Sequence, residues 1–318
     1  MREGGDGDRP AVDDNRRVDG PCPCRPAEFP ELIAAVNQVF RPGGGDMARD
    51  YPLLFGEHNL ENLMLVRDAN GVVAHAGLCL RQVSLHGVTV TAGALGAVFT
   101  RKDVRGRGLG AAAVGAALER ARAAGAALAL VSGDGPLYRR LGFTPAPAAT
   151  AWTHPAPPAA QSTEDAAAAA TIAPGEAVDL RLAVEADIPL LARIHDAEPV
   201  RFVRDAADWR ALLRAAVVFA WPGQIWIVTA AGAPAGYLAV ARSTRRRVLE
   251  LAGDRDTLLA AAPRVADQVV VPAHDTETAR DLAAVAWENR TFTLPAGHQW
   301  LQPPPHPLPI PWYGLNYV

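Results

Sequence analysis

The run Val104-Arg105-Gly106-Arg107-Gly108-Leu109-Gly110 most constrains what this chain can fold into. An apolar stretch, Leu95 to Thr100, precedes it, and an alanine-rich stretch at helical spacing, Leu109 to Ala124, follows it and stops at Gly125. Strand, glycine turn and helix therefore occur in that order. The opening N–H groups of such a helix have no partner within the helix and point outward, and its dipole favours negative charge there. Gly106, Gly108 and Gly110 let the backbone approach a ligand closely, and Arg105 and Arg107 add charge that a diphosphate would neutralise. Taken alone, the loop also reads as a plain helix start in a glycine-rich chain. It lacks the Gly-Lys-Ser/Thr ending of a nucleotide P-loop, and no acidic residue follows at the ribose position of a dinucleotide fold.

Around this loop the chain divides into two blocks. Residues 1–20 hold aspartate, arginine and glycine with few large apolar residues and read as a disordered tail. Alanine, proline and threonine dominate from Pro145 to Gly175, and residues 156–176 read as a linker. Folded blocks are expected at 21–155 and 177–300, followed by a proline-rich tail at 301–318. In the first block, Leu32, Val36 and Phe40 mark one face of a helix over Phe29–Phe40. Strands are expected at Leu63–Val66, Val72–Leu80, Gln82–Leu85, Val88–Thr91, Leu95–Thr100 and Ala127–Val131, with turns at Asn70-Gly71 and His86-Gly87. A short helix follows at Pro136–Leu141. The second block repeats the order more faintly: a strand at Asp179–Ala183, helices at Asp187–His195 and Ala206–Ala215, strands at Ile225–Thr229, Tyr237–Ala241 and Arg247–Leu251, then a helix from about Thr257, a strand at Gln268–Val271 and a helix after Thr276. This alternation predicts an α/β (α+β) fold built as two copies, each a mixed central sheet flanked by helices.

Charge excludes some partners. With 31 basic and 34 acidic residues the formal net charge is -3, so nothing provides the basic face that nucleic acid requires. No apolar run of ~20 residues is present, so no membrane span is expected, and the charged, glycine-rich N-terminus lacks the apolar core of a secretory signal. Cys22, Cys24 and Cys79 fit neither a disulfide framework nor a zinc site, so no metal is expected, and free thiols fit a reducing cytoplasm.

The segment Gly96–Gly110 resembles motif A of the GCN5-related N-acetyltransferases, the GNAT superfamily, whose Arg/Gln-x-x-Gly-x-Gly/Ala loop holds the pyrophosphate of coenzyme A. The resemblance implies that Arg105, Gly106, Arg107, Gly108, Leu109 and Gly110 bind the diphosphate of acetyl-CoA. It also implies that the backbone of Val98, Phe99 and Thr100 follows the pantetheine arm and the acetyl carbonyl. Lys102 departs from the pattern, standing where many members have proline. Ser132–Phe143 resembles the family's later segment, in which a tyrosine precedes Leu-Gly-Phe. That resemblance makes Tyr138 the general acid for the departing thiolate, a task that suits a phenol because its pKa of ~10 lies above the ~8.5 of a thiol. Alone, Tyr138 would read as a half-buried packing residue. The layout of two such folds and a short tail looks like the Eis-like tandem acetyltransferases, which usually carry a third, sterol-carrier-like domain for which this chain has no room.

The general base is harder to place. Val88–Thr100 contains no aspartate or glutamate. His86 falls in a turn, and His75 sits in a strand pattern, where a satisfied core histidine is commoner than a base. Asp46, Asp50, Glu57 and Glu61 form an acidic group on what the family uses as its acceptor side, where it would attract a cationic amine, and read equally as a solvated face. In Eis-like enzymes the terminal carboxylate lies in the active site, so Val318 is a candidate catalytic residue, and the tail reads equally as packing on the second block. Ala252–Leu258 lacks the Arg-x-x-Gly-x-Gly pattern, so the second block reads as a degenerate copy that completes the acceptor pocket or an oligomer surface. Trp209, Trp221, Trp226 and Tyr237 are candidates for an apolar wall of that pocket, with core packing the default for each. The expected function is N-acetyl transfer from acetyl-CoA to an amine of a small molecule or peptide by direct attack, the oxyanion held by a strand N–H near Phe99. The alternative is a non-catalytic acyl-CoA sensor. A homo-oligomer remains open.

Overall fold

The computed structural model describes residues 17–155, 178–285, 287–293, 295–304, 306–311 and 314–316. The first half contains β1 (Asp19–Pro23), α1 (Phe29–Phe40), α2 (Met47–Asp50), β2 (Leu63–Asp68), β3 (Gly71–Leu85), β4 (Val88–Thr100), α3 (Leu109–Ala123), β5 (Leu128–Val131), α4 (Pro136–Arg140), β6 (Thr144–Pro145) and β7 (Ala149–Thr153). The second contains β8 (Val178–Leu182), α5 (Ile188–Asp196), β9 (Val200–Phe202), α6 (Ala206–Ala215), β10 (Val217–Val218), β11 (Trp221–Ala230) and β12 (Ala233–Arg242). It continues through β13 (Arg246–Gly253), α7 (Arg255–Ala261), β14 (Gln268–Pro272), α8 (Thr276–Ala284), β15 (Glu288–Phe292) and β16 (Gly297–Trp300).

Among the described residues these strands make two mixed sheets with flanking helices. One runs β1-β2-β3-β4-β5-β16-β6 with β9 beside β3, and the other runs β10-β11-β12-β13-β14-β7-β15 with β8 beside β11. Each contains a single parallel contact at the same place in the repeat, β4 with β5 and β13 with β14. The tandem fold expected from the element order is therefore present. The sheets also exchange strands. β7 pairs with β14 and β15 in the second sheet, and β16 pairs with β5 and β6 in the first.

Several strands extend beyond the sequence expectation. β3 and β4 are continuous strands of 15 and 13 residues. The residues left between the expected segments, Arg81 and Ala92–Ala94, are paired across the hairpin instead, with Arg81 opposite Ala92 and Cys79 opposite Ala94. β1 begins at Asp19, inside the stretch read as tail, because its main chain pairs with β2, with Asp19 opposite Arg67; backbone pairing needs no apolar side chain.

Helix α3 owes its close seat to small residues. Ala113, Ala117 and Ala121 are buried on the first sheet, and a β-carbon on Gly93 would stand 3.2 Å from that of Ala121. An equivalent core lies under α7 and α8. A third, joining Phe99, Leu128 and Leu130 with Trp209, Ile225 and Tyr237, fills the space between the sheets. Trp209, Trp226 and Tyr237 are core residues, as expected.

Candidate active site

β4 and β5 run parallel from Ala92 opposite Leu128 to Leu95 opposite Val131. One more contact, from the Ser132 N–H to the Leu95 carbonyl at 3.4 Å, closes the pairing. Beyond it the chain after β5 turns into α4 while β4 continues to Thr100, so the two strands open into a fork.

A bulge in β4 lies at that point. His75 pairs with Phe99 and Gly77 with Gly96, so Ala97 and Val98 face the single residue Ala76. One extra residue on one strand bends and twists it locally. Ala97 takes up the distortion at φ +50°, in the left-handed region that a residue with a β-carbon seldom enters. Of the three residues expected along the pantetheine arm, Phe99 is buried while Val98 and Thr100 are half-buried.

After Thr100 the chain makes a short turn over Lys102–Val104 and reaches the glycine loop. Gly106 and Gly108 have φ of +81° and +79°, and nothing lies within 4 Å of a β-carbon built on either. Their role is backbone conformation, as the sequence required. Gly108 is the residue before α3, and no side chain caps that helix, so its first N–H groups face out of the loop. Arg105 and Arg107 are exposed beside them, and the Arg105 Nε donates to the Thr100 carbonyl at 3.2 Å. Gly110 has a different reason to be glycine: a β-carbon there would be 2.6 Å from the Thr100 hydroxyl oxygen and 3.9 Å from Leu137. Leu109 and Gly110 are half-buried at this junction of β4, α3 and α4.

Tyr138, on α4, leans across the loop that leaves β5. Its hydroxyl oxygen is 3.4 Å, and its ring 2.6 Å, from the position of a β-carbon on Gly133. Phe143 supports the ring edge-on, with centroids 6.0 Å apart. The fold thus brings Val98, Phe99, Thr100, the Arg105–Gly110 loop and Tyr138 to one fork.

Three of the four acceptor-side acids are engaged in caps or ion pairs. Asp46 caps α2 by accepting from the Ala48 N–H at 2.9 Å. Asp50 pairs with Arg41 and Arg49, each at 3.0 Å, and Glu61 with Arg120 at 2.6 Å. Glu57 is exposed. His86 occupies an exposed left-handed turn at φ +51°. His75 is fully buried, and that burial lowers its pKa to about 4, against the opposing effect of a bond to the Ala97 carbonyl. Val318 lies outside the described residues. Gly314–Asn316, just before it, are buried against the second half. There the Leu315 N–H donates to Glu250 at 2.9 Å and the Arg204 Nε to the Asn316 side-chain oxygen at 2.6 Å. Glu250 receives two further bonds from Arg204, at 2.6 and 2.8 Å. Burial alone would raise this carboxyl, but Arg204 outweighs it and holds the pKa at about 2. Sequence reasoning passed over Arg204 and Glu250, since two opposite charges 46 residues apart carry no local signal.

The second sheet has a fork of its own, where β13 and β14 separate after Val248 and Val269. A cavity of about 680 Å³ opens there. Its helix start is closed to phosphate. The Asp254 side chain accepts from the Thr257 N–H at 2.8 Å, Arg255 is held by Glu198 at 2.6 Å, and Asp256, Asp275 and Glu277 share the lining. Among the described residues no group of three or more His, Cys, Asp or Glu side chains is arranged to hold a metal, and no helix is long and apolar enough to cross a membrane.

The sequence profile of the family described as "Acetyltransferase (GNAT) domain" matches residues 23–146, the stretch that holds the fork, the loop and Tyr138. No curated protein matches the chain by sequence. Solved structures do match by fold. A GCN5-related N-acetyltransferase from Kribbella flavida superposes with a TM-score of 0.60 at 16% identity, over 90% of this chain and 72% of that one. Eis1 from Mycobacterium abscessus superposes with 0.58 at 18% identity, over 89% and 73%. Saccharomyces cerevisiae N-myristoyltransferase with bound myristoyl-CoA gives 0.51 at 12% identity, over 92% and 84%. At such identities the superpositions speak for the architecture alone, and each extends over about nine-tenths of this chain. The stretch 23–146 is thus a GNAT acetyltransferase domain, set in a chain whose two mixed sheets repeat the GNAT fold.

Proposed function

We propose that the chain is an N-acetyltransferase that moves an acetyl group from acetyl-CoA to an amine. The observation that carries this reading is the uncapped start of α3, behind two left-handed glycines, at the end of a strand that has just parted from its neighbour, with Tyr138 across the opening. Acetyl-CoA fits the residues present: a diphosphate needs N–H donors and cationic charge, for which the uncapped start of α3 and the exposed Arg105 and Arg107 are suited, and an extended thioester arm needs unpaired strand edge, for which Val98–Thr100 beyond the end of β5 is suited.

In this reading the amine nitrogen attacks the carbonyl carbon and forms a tetrahedral intermediate, whose oxyanion is met by a β4 N–H near Phe99. Collapse breaks the carbon–sulfur bond, and the sulfur takes the proton of the Tyr138 hydroxyl. The amine must lose one proton; Val318 is the candidate acceptor through its carboxylate. A second reading, acyl-CoA binding without turnover, draws on one observation: Asp46, Asp50 and Glu61 are occupied by caps and ion pairs. Thiol release from acetyl-CoA across a panel of amines, with calorimetric titration of acetyl-CoA, separates the two. Acetyl transfer reduced by 10² or more in Tyr138→Phe with unchanged acetyl-CoA affinity supports the enzyme; tight binding with no turnover on any amine supports the sensor. Removing residues 317–318 tests the carboxylate, since unchanged turnover eliminates it.

A further inference from the structure

The bulge at Ala97 needs a reason to exist. An alanine at φ +50° is strained, and β4 would pair more fully with β3 without the extra residue. His75, which stands opposite Phe99 on the neighbouring strand, supplies that reason. Its Nδ1 lies 2.8 Å from the Ala97 carbonyl oxygen. A carbonyl can only accept, so Nδ1 carries the hydrogen and donates it, which leaves Nε2 as a bare lone pair. Nε2 has no hydrogen-bond partner, consistent with that tautomer. The ring is wedged between Phe55 and Phe99, with centroids 6.1 and 6.0 Å away. It is fully buried, and no charged side chain contributes to its titration. The carbonyl it holds belongs to the residue whose left-handed turn re-aims Val98, Phe99 and Thr100 at the fork.

We propose that His75 is a positioning residue for acyl transfer: through its Nδ1–H bond to the Ala97 carbonyl it holds the β4 bulge, and so aims the backbone of Val98–Thr100 at the bound thioester. This rests on the acetyltransferase reading of the same fork. His75 does not itself touch the reacting atoms. It acts as a neutral donor, and its dry surroundings make the bond to Ala97 stronger than it would be in water.

The two ring nitrogens give a discriminating test. In His75→Asn the side-chain amide nitrogen can take the place of Nδ1. In His75→Gln it reaches the Nε2 end and leaves the Ala97 carbonyl unpartnered, and His75→Leu removes both donors. Ala97→Gly relieves the left-handed strain and should reduce the dependence on His75. The expected result is a fall of tenfold or more in kcat/KM for acetyl-CoA in the Gln and Leu variants. His75→Asn should stay within threefold of the parent protein, and adding Ala97→Gly to His75→Leu should recover most of the loss. Equal losses in the Asn and Gln variants, or no recovery with Ala97→Gly, overturn the proposal. If the Leu variant does not fold, the Asn and Gln pair still decides. The imidazole ¹⁵N spectrum of the parent protein gives a readout free of turnover: an Nδ1–H tautomer unchanged between pH 5.5 and 9 is expected, and an Nε2–H tautomer refutes the bond. Should the parent protein neither bind nor turn over acetyl-CoA, the acetyltransferase reading falls. A crystal structure of His75→Gln then still judges the bond to Ala97, because a retained positive φ at Ala97 shows that His75 does not hold the bulge.

Discussion

Gly110 approaches Thr100 so closely that a β-carbon on the glycine would stand 2.6 Å from the threonine hydroxyl oxygen. The contact fixes how near the start of α3 comes to the end of β4, and therefore where the free N–H groups point. In Gly110→Ala either the Thr100 hydroxyl must rotate away or the start of α3 must shift. Acetyl-CoA binding should weaken about tenfold, or ~1.4 kcal/mol. Thermal stability should change little, because alanine favours the helix by ~1 kcal/mol over glycine. Adding Thr100→Ala removes the clashing oxygen and should restore most of the affinity. Calorimetry and a melting curve on the single and double variants check this; a Gly110→Ala protein that binds as tightly as the parent shows that the close approach is not needed.

Arg105 and Arg107 flank the same donors and are both exposed. Removing either should raise the Kd for acetyl-CoA by roughly 3–30-fold, the range expected of an exposed charge against a dianion. The double Ala variant should also flatten the dependence of binding on salt. The control is S-acetylpantetheine, which has no diphosphate: its KM should be the same in all variants, and a change there would place the arginines elsewhere than on phosphate.

The Arg204–Glu250 pair is a liability if broken. Glu250→Ala leaves a guanidinium buried without its carboxylate and should destabilise the fold by about 3–5 kcal/mol in denaturant titration. The double change Arg204→Met with Glu250→Leu removes both charges and should cost less than either single change. A double variant as unstable as the sum of the two singles would mean the residues are not coupled.

Burial sets the response to acid. His75 titrates at about 4 in the folded protein, down from 6.5, because burial disfavours the charged ring. The unfolded chain therefore binds the proton first, and stability is full above pH 6.5 and falls as pH drops toward 4. The loss reaches on the order of 3 kcal/mol for this group. His195, lowered to about 3 by burial and then by Arg204, extends the same trend to lower pH. Denaturation midpoints measured from pH 7 to 4 should fall for the parent protein and fall less steeply for His75→Asn. Parallel curves for the two would rule out His75 as a contributor.

The parts of the candidate site that are legible in the sequence are those written locally. The loop declared itself through Gly106 and Gly108, whose positive φ only glycine adopts at little cost, and Tyr138 through the Leu141-Gly142-Phe143 that ends its helix. The bulge was not legible, because it is a matter of register between two strands: nothing within β4 marks Ala97, and nothing within β3 distinguishes His75 from a histidine satisfied in a core. Likewise β16 has the composition of a proline-flanked loop end, and its partner Val131 lies 166 residues earlier, a distance over which hydrophobic periodicity carries no information. The second block showed its loss of the phosphate loop, but not that Asp254 takes over the helix start.

Because β7 belongs by pairing to the second sheet and β16 to the first, a cut anywhere in 156–177 does not release two modules. The first piece would keep β5 with an open edge at Leu128–Val131, and the second would keep β14 with an open edge at Gln268–Pro272. Each fragment would carry the strand its counterpart lacks. The two halves are in that sense a single folding unit written in two instalments. Selection can vary the second half's own cleft freely, but it cannot discard that half without taking apart the sheet on which the first half's glycine loop stands.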